Sequence, residues 1–344
     1  MYFIGVDHHK QASVMTIVDK DGQELKYGRV LNLREKVKRF LEGYHPFTAV
    51  LEAGRSSYVM ADLLRELGGE VKMANALQVK AIAHARIKTD KRDSRTLAHL
   101  LRADLIPEVY QRGEWTRQAQ RVMRLRAYWV AKQTEVKNKI RALLAQQKEE
   151  IQLEVGKREE GLFSGKGVEF LTKLLLVDPD KMVLDDLIRG YQEDQAHIQR
   201  TDGLVRLLYG EIEEAARIDT VPGFATTLSV LVAVEIADIK RFPTVGDLHS
   251  YAGVIPSTYA SGERTHHGRI TKQGSAWLRW AALEAAYPAI KKDLGLRVLY
   301  NRLAKRKGAN VAKIAVARRL LTIIYRVLTE KREYVPDKMK ISAA

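Results

Sequence analysis

The chain of 344 residues contains no cysteine. This absence excludes a disulfide framework, a thiol nucleophile, a cysteine-ligated zinc site and an iron–sulfur cluster. No stretch approaches 18 consecutive apolar residues, and the N-terminal MYFIGVDHHK places Asp7, His8 and His9 where a secretory signal needs apolar residues. We therefore expect a cytoplasmic protein without a membrane partner, in which any metal is held by carboxylates or histidines.

Internal repeats and low-complexity tracts are also absent from the sequence, and the charge balance is strongly basic. Lysine and arginine number 58 against 42 acidic residues, which gives a formal net charge of +16. Clustered cations neutralise phosphates and release condensed counterions, so nucleic acid is favoured as the partner over an anionic membrane surface. The length and the 46% hydrophobic content allow about two domains with buried cores.

The first third of the chain has the pattern of an α/β domain, which we place at residues 1–112. Short β-branched segments bounded by turn residues predict five strands, at 2–7, 13–18, 27–32, 48–52 and 70–74. Amphipathic segments between and after them predict helices at 33–43, 57–67 and 76–87. Three successive strands followed by alternation with helices predict a mixed sheet with helical cover.

The remainder of the chain is predicted to be mainly α-helical. Residues 114–153 form one long amphipathic run, which predicts a helical hairpin or coiled coil within a central region at 113–217. Residues 218–344 form a last domain that ends in a basic helix at 309–333. Near its start, Thr-Val-Pro-Gly-Phe resembles a helix-hairpin-helix turn, in which Gly223 would free backbone N–H groups for a phosphate. An ordinary helix connection is the alternative.

Four carboxylates stand at the ends of predicted elements. Asp7 ends the first strand, Glu52 ends the fourth, and Asp90 and Asp93 lie three residues apart, on one face of a helix. Converging carboxylates can hold two hard divalent cations, which clamp the attacking and leaving oxygens of a phosphodiester exchange. Each acid alone is more simply a turn residue, so the prediction depends on the ordered combination.

The neighbouring histidines are weighed separately. Imidazole can ligate a metal or move protons. For His8 and His9 a structural or substrate-contacting role is the simpler interpretation.

Three segments resemble the DEDD motif of the IS110 family of insertion-sequence transposases, which is similar to the pilin-gene invertases: Gly5-Val6-Asp7, Val50-Leu51-Glu52-Ala53-Gly54 and Lys88-Thr89-Asp90-Lys91-Arg92-Asp93-Ser94. The resemblance implies an RNase H or RuvC-like fold for residues 1–112. It also implies that Mg²⁺ or Mn²⁺ is bound by the four acids of the motif, Asp7, Glu52, Asp90 and Asp93. Nearby basic residues are predicted to contact nucleic acid, namely Lys10, Arg55, Lys88 and Arg92.

A second set of motifs resembles the C-terminal transposase domain of the same family: Leu248-His249-Ser250-Tyr251-Ala252-Gly253, Ala260-Ser261-Gly262-Glu263 and Gly268-Arg269-Ile270-Thr271-Lys272-Gln273-Gly274. The family's nucleophilic serine corresponds to Ser261, with Ser257 as the competing alignment. From the residues alone, Ser261-Gly262 is an ordinary turn. Basic side chains around it are predicted to hold phosphates, namely Arg264, Arg269, Lys272 and Arg279, a solvated basic loop being the alternative.

A serine hydroxyl needs a neighbouring base, a metal or a polarised phosphate before it attacks. We therefore expect Ser261 to meet the four acids in the active assembly, either within one chain or between protomers. Strand exchange at two duplexes requires several active sites at once, which predicts a homo-oligomer, a dimer or a tetramer.

The resulting hypothesis is a recombinase that cleaves and rejoins donor and target DNA. The resemblance further implies guidance by a non-coding RNA of the element, and a place at the nucleoid of a prokaryotic cell. The main alternative is a RuvC-like, Mg²⁺-dependent junction resolvase or nuclease that uses the same acids without a covalent intermediate. A decayed, non-catalytic assembly protein and an actin-like sugar kinase are less favoured, because all the motif residues are present and no phosphate loop follows.

Overall fold

The computed structural model describes residues 1–54, 56–83, 89–261 and 264–336, of which 258–261 and 264–267 are described by their backbone alone. The chain divides into two compact units, Met1–Gln111 and Arg112–Ala344. The predicted boundary of the α/β domain at residue 112 stays a prediction. The division of the second unit at residue 217 stays a prediction.

The first unit is built on a five-stranded mixed sheet with the strand order β3-β2-β1-β4-β5. Its strands are β1 (Tyr2–His8), β2 (Ala12–Val18), β3 (Glu24–Leu31), β4 (Phe47–Glu52) and β5 (Glu70–Ala74). β1 and β2 pair antiparallel, as do β2 and β3, whereas β1 is parallel to β4 and β4 is parallel to β5. The predicted mixed sheet is confirmed, and it is consistent with an RNase H-like fold.

Helices cover both faces of this sheet, as the alternating apolar side chains of its strands require. The helices are α1 (Arg34–Leu41), α2 (Ser57–Glu66), α3 (Ala76–Ile82) and α4 (Asp90–Arg102). Ile4 and Val6 pack in one buried cluster with side chains of α1 and α2, while Val50 packs in another with Leu97 of α4. The sheet is thus enclosed, and its strand ends are left as the accessible edge.

The second unit is helical apart from one hairpin. Its helices are α5 (Glu114–Leu144), α6 (Glu149–Gly156), α7 (Gly165–Lys173), α8 (Asp180–Glu211), α9 (Glu213–Asp219), α10 (Thr226–Ile236), α11 (Val245–Ala252), α12 (Ala276–Lys292), α13 (Leu294–Lys307) and α14 (Ala309–Thr329). The two strands are β6 (Pro256–Ser261) and β7 (Arg264–Ile270), which pair antiparallel. No helix in the described ranges has the length and apolar character needed to cross a membrane.

α5 and α8 run antiparallel along each other, and two polar pairs lie in their interface. The Arg126 side chain donates to Asp202 at 2.5 Å, and Gln133 donates to Gln195 at 2.5 Å. Ile140 and Leu144 pack in a buried cluster with side chains of α8 beyond these pairs. The helical run predicted for 114–153 is wrong in one respect, since α5 ends at Leu144 and α6 starts only at Glu149.

α10 is the centre of the second unit. All of its residues from Ser229 to Ile236 are buried, because α9, α12, α8 and α5 enclose it. A helix that is apolar on every side has to be covered on every side, which makes α10 the axis of this core. The one acid of this helix, Glu235, is also buried, and its carboxylate has four partners, namely Arg112, Gln120, Arg124 and Ser275.

Candidate active site

Two of the predicted acids stand side by side at one edge of the sheet. In the parallel pair β1–β4, Val6 is opposite Leu51, so the next residues along the two strands are Asp7 and Glu52. Asp7 has 23% of its side chain exposed, and Glu52 is exposed. The main chain beyond β4 is held by Ser57, whose hydroxyl donates to the carbonyl of Glu52 at 2.8 Å. The parallel register therefore places both carboxylates at the same edge.

The other two acids lie in the first turn of α4. Thr89 caps this helix by accepting a hydrogen bond from the N–H of Arg92 at 3.3 Å. Acidic side chains near a helix N-terminus are favoured by the helix dipole, which gives Asp90 and Asp93 a structural benefit even without a metal. Asp90 and Asp93 can contribute to a metal site only if the helix places them close to Asp7.

α4 is brought against the sheet by a glycine. A Cβ added to Gly5 of β1 would lie 1.9 Å from the carbonyl oxygen of Ser94 and 2.5 Å from the nitrogen of Ala98. The same approach places the hydroxyls of Thr16 and Ser94 at 2.8 Å from each other in the interior. Only a residue without a side chain fits between β1 and α4, so Gly5 sets the distance between Asp7 and the acids of the helix.

Asp7 and Asp90 meet at a third residue, His9. Its Nε2 lies 3.2 Å from an Oδ atom of Asp7 and 3.6 Å from one of Asp90. One possible ligand atom from each of these residues lies within 4.8 Å of those from the other two. Among the residues that the structure describes, Glu52 and Asp93 fall outside this group of three. Two carboxylates and one imidazole fit a divalent cation by their chemistry and by their spacing.

The charges of this cluster act on Asp7. Burial raises the pKa of the Asp7 carboxyl, the neighbouring carboxylates of Asp90 and Asp93 also raise it, and His9 lowers it. Three carboxylates in close proximity repel one another, and a bound cation removes that repulsion. The arrangement is thus more favourable with a divalent cation than without one.

The two histidines have different surroundings. The Nδ1 of His8 lies 2.9 Å from the hydroxyl of Ser13, which in turn donates to Asn32 at 2.7 Å. Burial lowers the pKa of His8, as does the adjacent His9. His8 therefore joins the strands, whereas His9 lies at the acids. Sequence reasoning gave His9 no more weight than His8, although alternate residues of a strand share a face and Asp7 precedes His9 by two.

The basic residues predicted near the acids are described only in part. Lys10 and Arg92 are exposed. Arg55 and Lys88 lie outside the described residues. Contact of these four with nucleic acid stays a prediction.

The predicted serine lies in the β6–β7 hairpin. Ser261 is the last residue of β6 and pairs with Arg264, the first of β7; the side chains of both lie outside the description. The competing Ser257 donates its hydroxyl to the carbonyl of Arg269 at 3.0 Å, and a Cβ on Gly268 would lie 2.4 Å from that hydroxyl. The Ser257 hydroxyl thus has a structural partner within the hairpin.

The base of the hairpin is fixed by close contacts. Gly253 ends α11 with φ of 65°, and a Cβ there would lie 2.3 Å from the carbonyl oxygen of Gln273. Arg279 donates to the carbonyl of Ala252 at 3.0 Å, so its guanidinium holds the end of α11. Arg269 and Lys272 are exposed beside it. A role of these three cations toward phosphates stays a prediction.

His249 of α11 precedes the hairpin in sequence. Its surroundings do not suit a general base. Burial lowers its pKa to about 4, and the nearby Arg318 contributes. Arg318 donates to Nδ1 at 3.3 Å, which leaves Nε2 to donate to Thr322 at 3.2 Å. Both ring nitrogens are therefore used in joining α11 to α14.

Gly223 forms part of a tight turn between α9 and α10. Its φ is 90°, Pro222 precedes it, and the N–H of Phe224 donates to the carbonyl of Val221 at 3.1 Å, which is the pattern of a type II turn. A Cβ on Gly223 would lie 2.1 Å from the carbonyl oxygen of Ala285 in α12. Packing alone thus requires a glycine here, and a phosphate contact stays a prediction.

The geometry of the acids prompts a prediction for Gly5→Ala. The added methyl group has to push α4 away from β1, and overpacking of this kind costs about 3 kcal/mol. We expect the first unit to unfold at lower denaturant, and the cation affinity of the acids to fall because Asp90 moves away from Asp7. Gly190→Ala is the matched control, since a Cβ on Gly190 meets nothing within 4 Å. Equal stability of the two variants would contradict the role of Gly5.

Comparison with known families assigns the chain to the enzymes of DNA transposition and recombination. The model of the DEDD transposase domain of IS110 elements, described as "Transposase", matches residues 4–148. The model described as "Transposase IS116/IS110/IS902 family" matches residues 215–301. The chain belongs to the IS110 family of insertion-sequence transposases. The DEDD domain implies dependence on a divalent metal.

Relatives agree with this assignment over nearly the whole length. The chain is 25% identical to a "Probable family 20 transposase" of Pseudomonas aeruginosa, over 97% of this chain and 98% of the relative. It is 22% identical to the transposase for insertion sequence element IS1328 of Yersinia enterocolitica, over 95% and 96% of the two chains. A pilin gene-inverting protein of Moraxella bovis is 31% identical over 35% of this chain and 38% of its own.

Proposed function

We propose that this transposase cleaves and rejoins DNA with a DEDD metal site in its first unit and a serine nucleophile, Ser261, in its second. The observation that carries the proposal is the meeting of Asp7, His9 and Asp90, whose ligand atoms lie within 4.8 Å of one another. The neighbouring strand end of Glu52, and Asp93 one turn into α4, supply the remaining acids of the motif.

In this proposal the acids hold Mg²⁺ or Mn²⁺, which supplies charge stabilisation for the scissile phosphate and the leaving oxygen. The residues of the chain orient that phosphate and keep the carboxylates in place. His9 is added to the predicted set as a residue that lies against two of the acids.

The serine step conserves the energy of the phosphodiester. The Ser261 oxygen forms a bond to phosphorus while the bond from phosphorus to the leaving deoxyribose oxygen breaks. The serine proton passes to the solvent or to that leaving oxygen. Reversal with a different DNA hydroxyl restores a phosphodiester and the free serine, so no nucleotide cofactor is required.

Finer features of the assembly belong to the same proposal. We infer a homo-oligomer, a dimer or a tetramer, that acts on donor and target DNA and is guided by an RNA of the element. The antiparallel α5–α8 pair is the candidate coiled coil, and the turn at Gly223 is the candidate helix-hairpin-helix element. The proposed place of action is the cytoplasm, at the nucleoid.

The test uses the full chain with Mg²⁺, labelled donor and target DNA, and RNA transcribed from the flanks of its own gene. Wild type is expected to give a DNA band that is shifted by covalently bound protein and removed by protease. Ser261→Ala is expected to lose this adduct, while Ser257→Ala retains it because Ser257 serves the hairpin. Cleavage by Ser261→Ala without an adduct would replace the recombinase mechanism by hydrolysis, as in a junction resolvase.

A further inference from the structure

The α13–α14 pair has an unusual charge content. From residue 294 to residue 329 the chain contains nine lysines and arginines and no aspartate or glutamate. Over the whole chain the ratio is 58 to 42. This segment therefore carries a much larger share of the net charge than its length accounts for.

Some of these cations have structural partners. Arg297 donates to the carbonyl of Ile290 at 3.1 Å, and so holds the end of α12. Arg318 donates to His249 at 3.3 Å. Lys313 lies over the ring of Tyr287, 4.7 Å from its centroid. These three residues have a role in packing the second unit.

Four others form a group at the end of α13, which we call the α13 basic surface: Arg302, Lys305, Arg306 and Lys307. All four are exposed. Within the described parts of the chain, none of them has an acidic partner. Arg302 also lines a cavity of about 290 Å³ together with Arg319 of α14, which brings a further guanidinium to the same side of the pair.

Several exposed cations on other helices have an acidic partner on the same helix. Lys139 lies 2.8 Å from Glu135, Lys173 lies 2.6 Å from Glu169, and Arg189 lies 3.0 Å from Asp186. Such pairs stabilise a helix modestly. The α13 basic surface has no such ion pair within the described residues.

Helix stability does not explain why these four cations of α13 lack acidic partners among the described residues. Cations in the last turn interact favourably with the helix dipole, by about 0.3–1 kcal/mol each. Arg302 and Arg306, however, are like charges four residues apart. Such a pair destabilises a helix by about as much as a salt bridge at the same spacing stabilises it. A group of four cations without acids is thus close to neutral for folding, and its charge is available to a partner.

We infer that the α13 basic surface binds the backbone of duplex DNA without reading its sequence. This inference rests on the proposed function, because it takes DNA as the substrate of the enzyme. The four residues span five steps of helix, about 7.5 Å at 1.5 Å per residue, which corresponds to about two phosphate steps of one strand. Long lysine and arginine side chains can reach such phosphates, and contacts of this kind position a protein without specifying bases.

The test is the salt dependence of binding to a duplex of arbitrary sequence, measured by fluorescence anisotropy without Mg²⁺ so that no cleavage occurs. The triple variant Lys305→Gln, Arg306→Gln, Lys307→Gln is expected to bind at least about tenfold more weakly at low salt. The slope of log K against log salt is expected to fall by about 2 to 3, because each lost phosphate contact removes about 0.9.

The matched control removes three paired cations, Lys139→Gln, Lys173→Gln and Arg189→Gln, and so changes the net charge equally. It should keep the wild-type slope. The charge-preserving set Lys305→Arg, Arg306→Lys, Lys307→Arg should also keep it, which separates charge from folding. A wild-type slope in the first variant would overturn the inference, and so would normal DNA binding combined with loss of binding to an RNA hairpin. Because this readout needs no cleavage, its failure is distinct from failure of the serine mechanism.

Discussion

Asp7→Asn is expected to abolish Mg²⁺-dependent DNA cleavage and at the same time to leave the metal-free protein as stable as wild type, or more so. The loss of activity follows from the loss of a carboxylate at the point where Asp90 and His9 converge. A bound cation supplies several kcal/mol of charge stabilisation, and about 4 kcal/mol corresponds to a loss of about a thousandfold.

The expected stability of the metal-free Asp7→Asn variant follows from the same charges, because they repel one another when no cation is bound. Burial and the charges of Asp90 and Asp93 raise the pKa of the Asp7 carboxyl, which means that its ionised form is unfavourable in the folded protein without a cation. Asparagine keeps the shape and removes that charge. The energy that makes Asp7 a ligand is thus a cost to the metal-free fold.

Thermal unfolding with and without Mg²⁺ measures both effects. Wild type should be stabilised by the cation, as any ligand stabilises the folded state that binds it, and Asp7→Asn should not respond. Asp104→Asn is the control, because Asp104 is an exposed acid of the same unit that pairs with Lys72 at 3.3 Å. A variant at Asp7 that still responds to Mg²⁺ and still cleaves would refute the assignment of the site.

Glu235→Ala is expected to destabilise the second unit by about 3–5 kcal/mol, which is the range for breaking a buried ion pair from one side. Glu235 is 2% exposed and lies 2.8 Å from a guanidinium nitrogen of Arg124 and 3.8 Å from one of Arg112. It also accepts from Ser275, the N-cap of α12, at 2.9 Å. Removing the carboxylate takes an acceptor from Arg124 and from the cap hydroxyl of Ser275, and removes the negative charge beside Arg112.

Denaturant unfolding followed by tryptophan fluorescence measures this effect, since Trp277 of α12 lies under the guanidinium of Arg124. Glu235→Gln keeps the shape and some of the hydrogen bonds, so its loss should be smaller. Glu213→Ala removes an exposed acid that pairs with Arg217 and should cost less than about 1 kcal/mol. A cost at Glu235 no larger than that at Glu213 would show that the network does not hold the three helices together.

The strand pattern predicted the sheet and its acidic edge because both depend on local rules. The sequence predicted Asp7 and Glu52 at strand ends, and the parallel pairing of β1 with β4 places these two ends at one edge. The approach of α4 was not predictable in the same way, since it depends on a contact between Gly5 and Ser94 that are 89 positions apart in the sequence.

Other features were not predicted from the sequence, for reasons that can be identified. The β6–β7 hairpin has no alternation of apolar and polar residues in PSTYAS and RTHHGRI, so periodicity gave no signal. α5 and α6 read as one run because Ala145, Gln146 and Gln147 are all good helix formers. Glu235 was overlooked in spite of a visible signal, a single acid within the apolar TTLSVLVAVEI of α10.

The polar pairs between α5 and α8 have a consequence for how this protein can change in evolution. Arg126 with Asp202 and Gln133 with Gln195 are each spaced seven residues along their own helix. Sliding the helices by one turn would leave a charge facing an amide or an apolar side chain, whereas apolar layers alone would tolerate the shift. An insertion or deletion in one of the two helices alone would separate the partners of at least one pair, so we expect changes in length to occur in both helices together.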